Sequence, residues 1–367
     1  MKKILHYITY QTFPADTANS LQTISNLKYF VKNNYEVSLY FPLREENSSS
    51  DLGLIQKKYN FKETLKVFGT THPYPFGKFH FFNRFFYHLS HFLWARKNTK
   101  NFTKGQNQND YFLTRSDWVL YFLARKNLNI IFECHQYSKL RNYIFKKISE
   151  FNNVKIIFLN KLIKDEFQLQ IKKSLILASG VDLDLFPNIS KNEKIQNKIV
   201  FVGNLLRFGK QRNIENILSV FKNLNDFSLT IVGGPTSESD KLQKIVKELN
   251  LSNVIIKGSL SREETVNEIL SSSYGLLINS DDKHSRLFTS PLKYFEYLAA
   301  NLKVIAVDFP SHNLLPEQKN IYYFTHGDPS SLKDSIYRAS ENKFVAFDIE
   351  KYSLDNRVKQ IIILFNE

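Results

Sequence analysis

A short segment, "TSPLKYFE", combines two hydroxyl groups, a proline and one carboxylate at the start of a predicted helix. Ser290 is a good N-cap residue and Pro291 suits the first helical position. The first turn, which includes Leu292, would then present free backbone N–H groups and the positive end of the helix dipole to an anion, with Thr289 adding a hydroxyl donor. Further along, Glu296 can accept two hydrogen bonds from a vicinal diol such as a ribose. The segment predicts a nucleoside diphosphate site, although a capped core helix with an exposed glutamate would have the same sequence.

A basic loop, "FVGNLLRFGKQR", follows another predicted strand. Gly203 and Asn204 would let the backbone approach a phosphate-bearing ligand. The loop then carries Arg207, Lys210 and Arg212, and the guanidinium fork suits a diphosphate. The alternative interpretation is a solvated basic loop.

A histidine, His135, stands at the carboxyl end of a predicted strand in "FECHQ". In that position it could hydrogen-bond or exchange a proton with a ligand at the edge of the sheet. A single histidine at a strand end is often structural, so this alternative stays open. The neighbouring Glu133 is expected to orient the histidine or to stabilise the fold rather than to act as a nucleophile.

The elements that position these residues are indicated by an alternation of short apolar runs with longer helix-like segments. Continuous apolar strands with helical crossovers predict parallel sheets covered on both faces. A polar linker, 185–198, separates two sets of strands, and eight of the twelve glycines lie at or after Gly180. The predicted fold is α/β, with two doubly wound domains that face a central cleft, where ligands sit beyond the carboxyl ends of the strands. The predicted strands are 4–10, 36–41, 65–69, 110–114, 129–133, 154–159, 174–179, 198–203, 227–233, 253–258, 274–279, 303–308 and 321–324.

Composition excludes only some classes of binding partner. The 367-residue chain has a formal net charge of +15 and a sequence pI of about 9.5. These values suit an anionic small molecule, an anionic membrane or nucleic acid, or simply a solvated basic surface. No motif of nucleic-acid recognition accompanies the charge, so a nucleic-acid partner is not predicted. The single cysteine, Cys134, excludes an internal disulfide and cysteine metal clusters and fits a cytoplasmic location, and neither a signal peptide nor a spanning helix is expected.

An ordered set of segments resembles one enzyme family. "SPLKYFEYLAANLKVIAV" resembles the donor motif of retaining GT-B glycosyltransferases of the family-four group, in the subgroup with Ser-Pro-x-Lys-x-x-Glu-Tyr. Other landmarks follow in the family's order and cover nearly the whole chain. They are "DTANSLQTISNLKYFVKNNYEVSLY", "FLTRSDW", "IIFECHQ", "ASGVDLDLFP", "IVFVGNLLRFGKQRNIENIL", "LTIVGGP", "VIIKGSLSREETVNEIL" and "YSLDNRVKQIIILF".

The resemblance implies a GT-B architecture of two Rossmann-like domains. Residues 1–187 would form the acceptor-side domain, 188–350 the nucleotide-sugar donor domain, and 351–367 a final helix that crosses back to the first domain. The family binds the leaving diphosphate with basic side chains and a helix terminus, so no metal and no separate cofactor is expected, and the nucleotide diphosphate-sugar is the donor substrate.

The resemblance also implies roles for single residues. Alignment of "QRNIENIL" with the family pattern puts Arg212 at a phosphate-binding lysine, with Arg207 as the second base, and Lys210 could take either role. His135 resembles the family histidine that faces the sugar. The loop "GSL" resembles the one whose backbone holds the base; its residues are Gly258, Ser259 and Leu260. Ser261 and Glu264, which follow, are predicted to form a capping box.

Two departures from the family pattern affect the substrate. Many relatives carry a second glutamate where this chain has Phe288. The residues that contact the sugar hydroxyls, and the identity of the sugar, are therefore not predicted. The first loop, "YQTFPADTANSLQ", contains no glycine. Acceptor binding there would use side chains such as Thr17, Asn19 and Ser20.

One aromatic segment, residues 74–100, stands apart because it is dense in phenylalanine and histidine and ends in basic residues. As an amphipathic element it could lie on an anionic membrane, and the alternative is a buried helix of the first domain. The predicted function is transfer of a sugar from a nucleotide diphosphate-sugar to a glycan or lipid-linked acceptor with retention, in the cytoplasm or at the inner face of its membrane. A nucleotide-sugar epimerase of the same architecture and a catalytically silent binding module remain as alternatives.

Overall fold

The computed structural model of the chain consists of two compact units. The first unit comprises Met1–Ala178 together with Leu354–Glu367, and the second comprises Ser179–Ser353. The second unit begins before the predicted linker, and the Val181 N–H within it donates to the Tyr352 carbonyl oxygen, 3.0 Å away. Linker residues 187–193 lie outside the described part of the chain. The structure describes residues 3–78, 82–105, 109–169, 173–186, 194–207, 210–212 and 214–366.

The first unit contains a seven-stranded parallel sheet in the order β3-β2-β1-β4-β5-β6-β7. The strand order reverses at β1, which defines a switch point between β1 and β4. The strands are β1 (Lys3–Ile8), β2 (Tyr35–Leu43), β3 (Lys66–Thr71), β4 (Tyr111–Thr114), β5 (Asn129–Cys134), β6 (Val154–Phe158) and β7 (Ser174–Ile176). The helices are α1 (Ala18–Lys32), α2 (Leu52–Tyr59), α3 (Asn83–Phe102), α4 (Asp117–Leu123), α5 (Lys139–Ile148) and α6 (Lys161–Glu166).

The second unit repeats this plan with six parallel strands in the order β12-β11-β8-β13-β14-β15 and a separate antiparallel pair of β9 and β10. Its switch point lies between β8 and β13. The strands are β8 (Lys198–Val202), β9 (Leu206–Arg207), β10 (Lys210–Gln211), β11 (Ser228–Val232), β12 (Val254–Gly258), β13 (Tyr274–Leu277), β14 (Lys303–Val307) and β15 (Ile321–Phe324). The helices are α7 (Ile214–Phe221), α8 (Thr236–Glu248), α9 (Arg262–Leu270), α10 (Lys283–Leu287), α11 (Leu292–Ala299) and α12 (Pro329–Glu341).

The α/β fold class and the two doubly wound sheets predicted from the sequence are confirmed. Each predicted strand is present, with its ends shifted by a few residues at most, because short apolar runs between turn residues favour strands of a parallel sheet. The short pair β9–β10 was not expected from the sequence. Its segments are too short and too polar for an apolar run to indicate a strand.

The last helix, α13 (Leu354–Asn366), belongs to the core of the first unit. Its apolar face, which includes Val358 and Ile361, packs in the same hydrophobic cluster as the central strand residue Leu5. The Lys155 ammonium donates to the Phe365 carbonyl oxygen, 2.9 Å away, at the carboxyl end of the helix. A cation at that end also complements the helix dipole.

Helix α3 occupies most of the aromatic segment 74–100, and it is buried along one side. The Trp94 indole is fully buried and donates to the Thr70 hydroxyl oxygen, 2.8 Å away. Near the start of the helix Phe82 and Phe85 are exposed. Along the described residues, no helix combines the length and the apolar character needed to cross a membrane.

Candidate functional site

The second unit contains a buried glutamate held between two cations. Glu296 of α11 accepts a hydrogen bond from Arg262 Nη2 at Oε1, 2.8 Å away, and one from Lys293 Nζ at Oε2, 2.7 Å away. The Glu296 side chain is 5% exposed, whereas those of Arg262 and Lys293 are 20% and 25% exposed. The carboxylate is therefore buried while its partners remain open to solvent or ligand.

The ion pairs determine the protonation state of this cluster. Burial alone would raise the pKa of Glu296, but Arg262 and Lys293 outweigh burial and lower the pKa to about 2. Burial lowers the pKa of Lys293, and Glu296 partly opposes that shift. Glu296 is thus an anion at neutral pH. Among the described residues it accepts two hydrogen bonds, fewer than the roughly four that a carboxylate can accept, so it could accept others from a diol.

The amino terminus of α11 differs from the sequence prediction by one residue. Pro291, not Ser290, is the N-cap, and no side chain caps the helix among the described residues. The predicted Ser290 cap is wrong because its hydroxyl oxygen accepts the Ser179 N–H, 2.8 Å away. Thr289 is also engaged, since its hydroxyl donates to the Ser285 carbonyl oxygen at 3.1 Å. The first turn, with Leu292 and Lys293, can therefore bind an anion mainly through its backbone and Lys293.

Three glycine loops lie together at the carboxyl ends of β8, β11 and β12. The Gly233 N–H donates to the Gly258 carbonyl oxygen at 2.7 Å. A side chain at Gly233 would put its Cβ 1.8 Å from the Gly203 carbonyl oxygen, so only glycine allows this approach. Gly258 has a positive φ of 65°. The residues that follow it, exposed Ser259 and half-buried Leu260, form the rim of the predicted base-binding loop.

Arg212 lies at the switch point of the second sheet. Its Nη1 donates to the Ile278 carbonyl oxygen at 3.1 Å and to Asn279 Oδ1 at 3.2 Å, both just beyond β13. A Cβ at Gly203 would lie 3.9 Å from the same nitrogen. Arg212 and His326 line a pocket of about 370 Å³, a volume that includes the part open to solvent. This edge of a doubly wound sheet is where ligands bind.

The other two predicted bases belong to the β9–β10 pair. Arg207 and Lys210 face each other across this antiparallel pair, and their side chains lie outside the described structure. Asn204 shapes the preceding turn, because its Oδ1 accepts the Leu206 N–H at 3.0 Å. The roles of the two bases stay predictions.

Phe288 occupies the position where relatives of the resembled family carry a glutamate, and it is buried. Its ring packs edge-on against His284, with 6.1 Å between the ring centroids. The nearby acids do not replace the missing carboxylate, since Asp282 caps α10 and Asp281 pairs with Arg286 at 2.9 Å.

The first unit holds a second buried glutamate beside His135. Glu133, at the end of β5, accepts from Arg115 Nε and Nη2 at 2.9 and 2.8 Å, and from Arg357 Nη2 of α13. His135 Nε2 lies 3.2 Å from Glu133 Oε1. Glu133 is therefore a buried carboxylate held by two arginines and within reach of the histidine, and its role as an orienting or structural group stays a prediction.

His135 is neutral at physiological pH. Burial lowers its pKa to about 4, Arg115 lowers it further, and Glu133 opposes the shift. Burial would raise the pKa of Glu133, yet Arg115 and Arg357 hold it well below its usual value. The His135 side chain is 26% exposed, so a neutral imidazole is accessible to a ligand at the carboxyl edge of the first sheet.

The predicted acceptor side chains have mixed surroundings. Thr17 caps α1 by accepting the Ser20 N–H, and the two form a capping box. Asn19 is exposed and its Oδ1 accepts from Arg115 Nη1. Asn19 is thus joined to the cluster that contains His135, whereas the hydroxyl groups of Thr17 and Ser20 serve the helix end.

Sequence reasoning missed the four basic residues that hold the two glutamates. Only Lys293 carried a local signal, because it lies three residues before Glu296 on one helix face. Arg115 directly follows β4, which predicts a position at the sheet edge but no partner. The other two, Arg262 and Arg357, are distant in sequence from the carboxylates they bind.

Comparison with known proteins identifies a domain in the second half of the chain. Residues 196–342 match the family model for Glycosyl transferases group 1. This match covers most of the second unit and includes the Glu296 cluster, Arg212 and the three glycine loops. No curated protein sequence matches the chain significantly.

Solved structures share the fold over the whole chain at low sequence identity. TarM matches with a TM-score of 0.69 and 13% identity, covering 100% of this chain and 99% of its own. Sucrose-phosphate synthase from Thermosynechococcus elongatus matches with a TM-score of 0.66 and 14% identity, covering 99% and 95%. HepE from Anabaena, solved in complex with UDP and glucose, matches with a TM-score of 0.65 and 12% identity, covering 100% of each chain. The chain therefore has the GT-B glycosyltransferase fold.

Proposed function

We propose that this protein is a glycosyltransferase that moves a sugar from a nucleotide diphosphate-sugar to a glycan or lipid-linked acceptor. The observation that carries the proposal is the buried Glu296, held by Arg262 and Lys293 beside the amino terminus of α11. This cluster lies in the domain that matches Glycosyl transferases group 1. An anionic diol acceptor next to a helix terminus suits the ribose and diphosphate of a sugar nucleotide.

The charges of the cluster indicate how a diphosphate would be bound. Burial would lower the pKa of Arg262, but Glu296, with a smaller contribution from Asp182, raises it. These two carboxylates balance the charges of Arg262 and Lys293. Extra positive charge for a leaving diphosphate must therefore come from the helix terminus and from other bases. Arg212 is our candidate, with Arg207 and Lys210 from the adjacent loop. Fixed donors of this kind stabilise charge as it develops on a leaving phosphate.

The proposed chemistry proceeds with retention and without a metal ion. We expect a front-face displacement in which the leaving phosphate assists the incoming hydroxyl, since no protein nucleophile is evident at either glutamate cluster. The neutral imidazole of His135 would accept a hydrogen bond from a sugar hydroxyl. NMR of the product anomer tests retention, and undiminished turnover after chelation is expected.

A uridine nucleotide is the first donor to test, because a structural relative, HepE, was solved with UDP and glucose. A thermal-shift series with nucleoside diphosphates and their sugars would be run on the wild type, Glu296→Ala and Arg212→Ala. We expect one nucleotide class to raise the midpoint of the wild type and neither variant to respond. Glu215→Ala removes an exposed carboxylate of the same unit and serves as the control.

Two results would count against the proposal. A folded wild-type protein that responds to no nucleotide would contradict the donor site. Full turnover of Arg212→Ala at saturating donor would contradict the assigned role of Arg212.

A silent binding module is the second candidate, favoured by Phe288 at the position of the missing acid. Such a module would bind the nucleotide without cleaving the sugar–phosphate bond. An epimerase would convert the donor without an acceptor. Release of free nucleotide from the donor, measured with and without added acceptor, separates these alternatives.

We also propose that the start of α3 contacts the anionic inner face of a membrane. Phe82 and Phe85 are 74% and 62% exposed, and the segment ends in the basic residues Arg96, Lys97 and Lys100. Arg84, between these two phenylalanines in sequence, is also exposed, and exposed rings beside a cation suit an anionic lipid surface. Cosedimentation with anionic vesicles should fall when both phenylalanines become serine, and unchanged cosedimentation would refute the contact.

A further inference from the structure

Three side chains outside both glutamate clusters lie at one edge of the first sheet. Tyr10 is two residues beyond β1, Arg44 directly follows β2, and His72 directly follows β3. These strands are hydrogen-bonded neighbours in the order β3-β2-β1. Parallel pairing therefore brings the three side chains together at the carboxyl edge, which is the ligand edge of a doubly wound sheet.

The Tyr10 ring is the centre of this group, which we call the Tyr10 cluster (Tyr10, Arg44, His72 and His91). Its hydroxyl oxygen lies 2.8 Å from His72 Nε2. Its face stacks on the His91 ring of α3, with centroids 4.5 Å apart and planes 8° apart. The guanidinium carbon of Arg44 lies 5.1 Å from the ring centroid. The contacts come from separate elements and fix the orientation of each side chain.

Buried polar atoms of the Tyr10 cluster lack partners. Arg44 Nε and His91 Nε2 are buried and form no hydrogen bond with any described residue. His91 as a whole is 2% exposed. The side-chain oxygen of Gln11, next to Tyr10, is also buried and forms no hydrogen bond with any described residue. Buried polar groups in folded proteins are nearly always paired, so these atoms indicate a place where a polar ligand binds.

The electrostatics of the Tyr10 cluster favour an anion. The ionic partner of Arg44 is the exposed Glu45, with Nη2 and Oε1 3.0 Å apart, and such a surface pair neutralises little. The pKa of His72 is lowered to about 4, first by burial and then by Arg44 and Lys78. His72 is therefore neutral at pH 7, and the cations around it create a positive potential that a negative ligand would relieve.

We propose that the Tyr10 cluster is an acceptor subsite for a sugar that carries an oxyanion, either a phosphate or a carboxylate. Arg44 would hold the oxyanion with its guanidinium fork, as arginine does for planar and tetrahedral oxyanions. The half-exposed Tyr87 ring, which packs edge-on against Tyr10 at 5.5 Å, would cover one face of the sugar. The role of this sugar as an acceptor rests on the proposed transferase function, whereas binding of its oxyanion does not require turnover.

The test titrates the full chain, without nucleotide, with glucose 6-phosphate, glucuronate and glucose, using calorimetry. We expect at least one of the two anionic sugars to bind and glucose to bind more weakly. Arg44→Gln should weaken the anionic sugar on the order of tenfold, which corresponds to loss of hydrogen bonds to a charged group. His72→Gln should weaken it less, because it keeps a polar group at that position.

Arg125→Gln is the matched control. Arg125 also stacks on an aromatic ring of the first unit, that of Tyr121, with the guanidinium carbon 3.6 Å from the centroid. Its loss changes the net charge by the same amount, and the anionic sugar should bind as it does to the wild type. A parallel titration of the nucleotide should be unaffected by Arg44→Gln, so a failed donor site and a failed acceptor subsite give different results.

The outcomes divide clearly. Binding of only the phosphorylated sugar, or of both anionic sugars, supports the subsite and identifies the oxyanion it accepts. Equal weakening by Arg44→Gln and Arg125→Gln would reduce the effect to net charge and overturn the proposal. Equal affinity for glucose, no binding of either anionic sugar, or unchanged binding by a folded Arg44→Gln protein would also overturn it.

Discussion

Each unit of this protein buries one glutamate between two basic side chains, but the two clusters differ in what their cations can reach. In the first unit the partners of Glu133 are nearly closed to solvent, with Arg115 7% and Arg357 3% exposed. In the second unit the partners of Glu296 are 20% and 25% exposed. Exposure of the partners, rather than burial of the acid, separates a structural ion cluster from one that can meet a ligand.

The origins of the partners differ in the same way. Glu133 joins β5 to the last helix of the chain, because Arg357 of α13 donates to its carboxylate. Arg357 also donates to the Ala178 carbonyl oxygen at 2.8 Å. Glu296 joins only two neighbouring elements, α9 and α11. A closed cluster that connects distant segments contributes to stability, and an open one between two helices can change its contacts when a ligand arrives.

The largest expected effect is on stability, from Glu133→Gln. Removing this carboxylate leaves two buried arginines without their counter-charge, which should cost about 3 to 5 kcal/mol. Both tryptophans of the chain, Trp94 and Trp118, belong to the first unit, so urea unfolding followed by tryptophan fluorescence measures this loss directly. An unchanged fluorescence midpoint would contradict the structural role of the Glu133 cluster, which distinguishes it from the Glu296 cluster.

The next effect concerns pH. His135 has a pKa of about 4 in the folded chain against 6.5 for a free histidine, so the unfolded state binds the proton first as pH falls. The stabilising contribution is present above pH 6.5 and is lost as pH falls from 6.5 towards 4, by up to about 3 kcal/mol. His135→Gln should flatten this part of the fluorescence-monitored stability profile. Identical profiles for wild type and variant would contradict the neutral imidazole.

The smallest stability effect is expected from Glu296→Gln. Its partners can be solvated, so the loss should be about 2 kcal/mol, between the values for surface and buried pairs. The change should appear in far-UV circular dichroism and leave the tryptophan transition unmoved. Nucleotide affinity should fall by more than the stability, and a variant that binds nucleotide normally would make the second cluster as structural as the first.

Much of the fold was predictable because its signals are local. Runs such as "KIVFV" and "KVIAV" are apolar after their first residue and are followed by turn residues, which indicates strands covered on both faces. The capping box of Ser261 and Glu264 was also predicted and is present. Each of these depends on a few consecutive residues.

The site was predictable only in part. Glu296 and His135 could be identified from their positions relative to predicted elements, but not the ion pairs around them. The N-cap of α11 moved to Pro291 because Ser179, far away in sequence, takes the hydroxyl of Ser290. No local pattern contains such a competitor.

The sequence by itself determined the strands, the parallel sheets and the polar residues at their ends, since hydrophobic runs, caps and turn residues act over a few positions. Only the tertiary structure decided which cation meets which acid. Arg357 reaches Glu133 across 224 residues, and Arg262 reaches Glu296 across 34. Those pairs form because sheet order and helix packing bring separate segments to one edge of their sheet. Burial lowers the pKa of His135. At Glu296 the ion pairs with Arg262 and Lys293 outweigh burial and keep the side chain a carboxylate between two accessible cations.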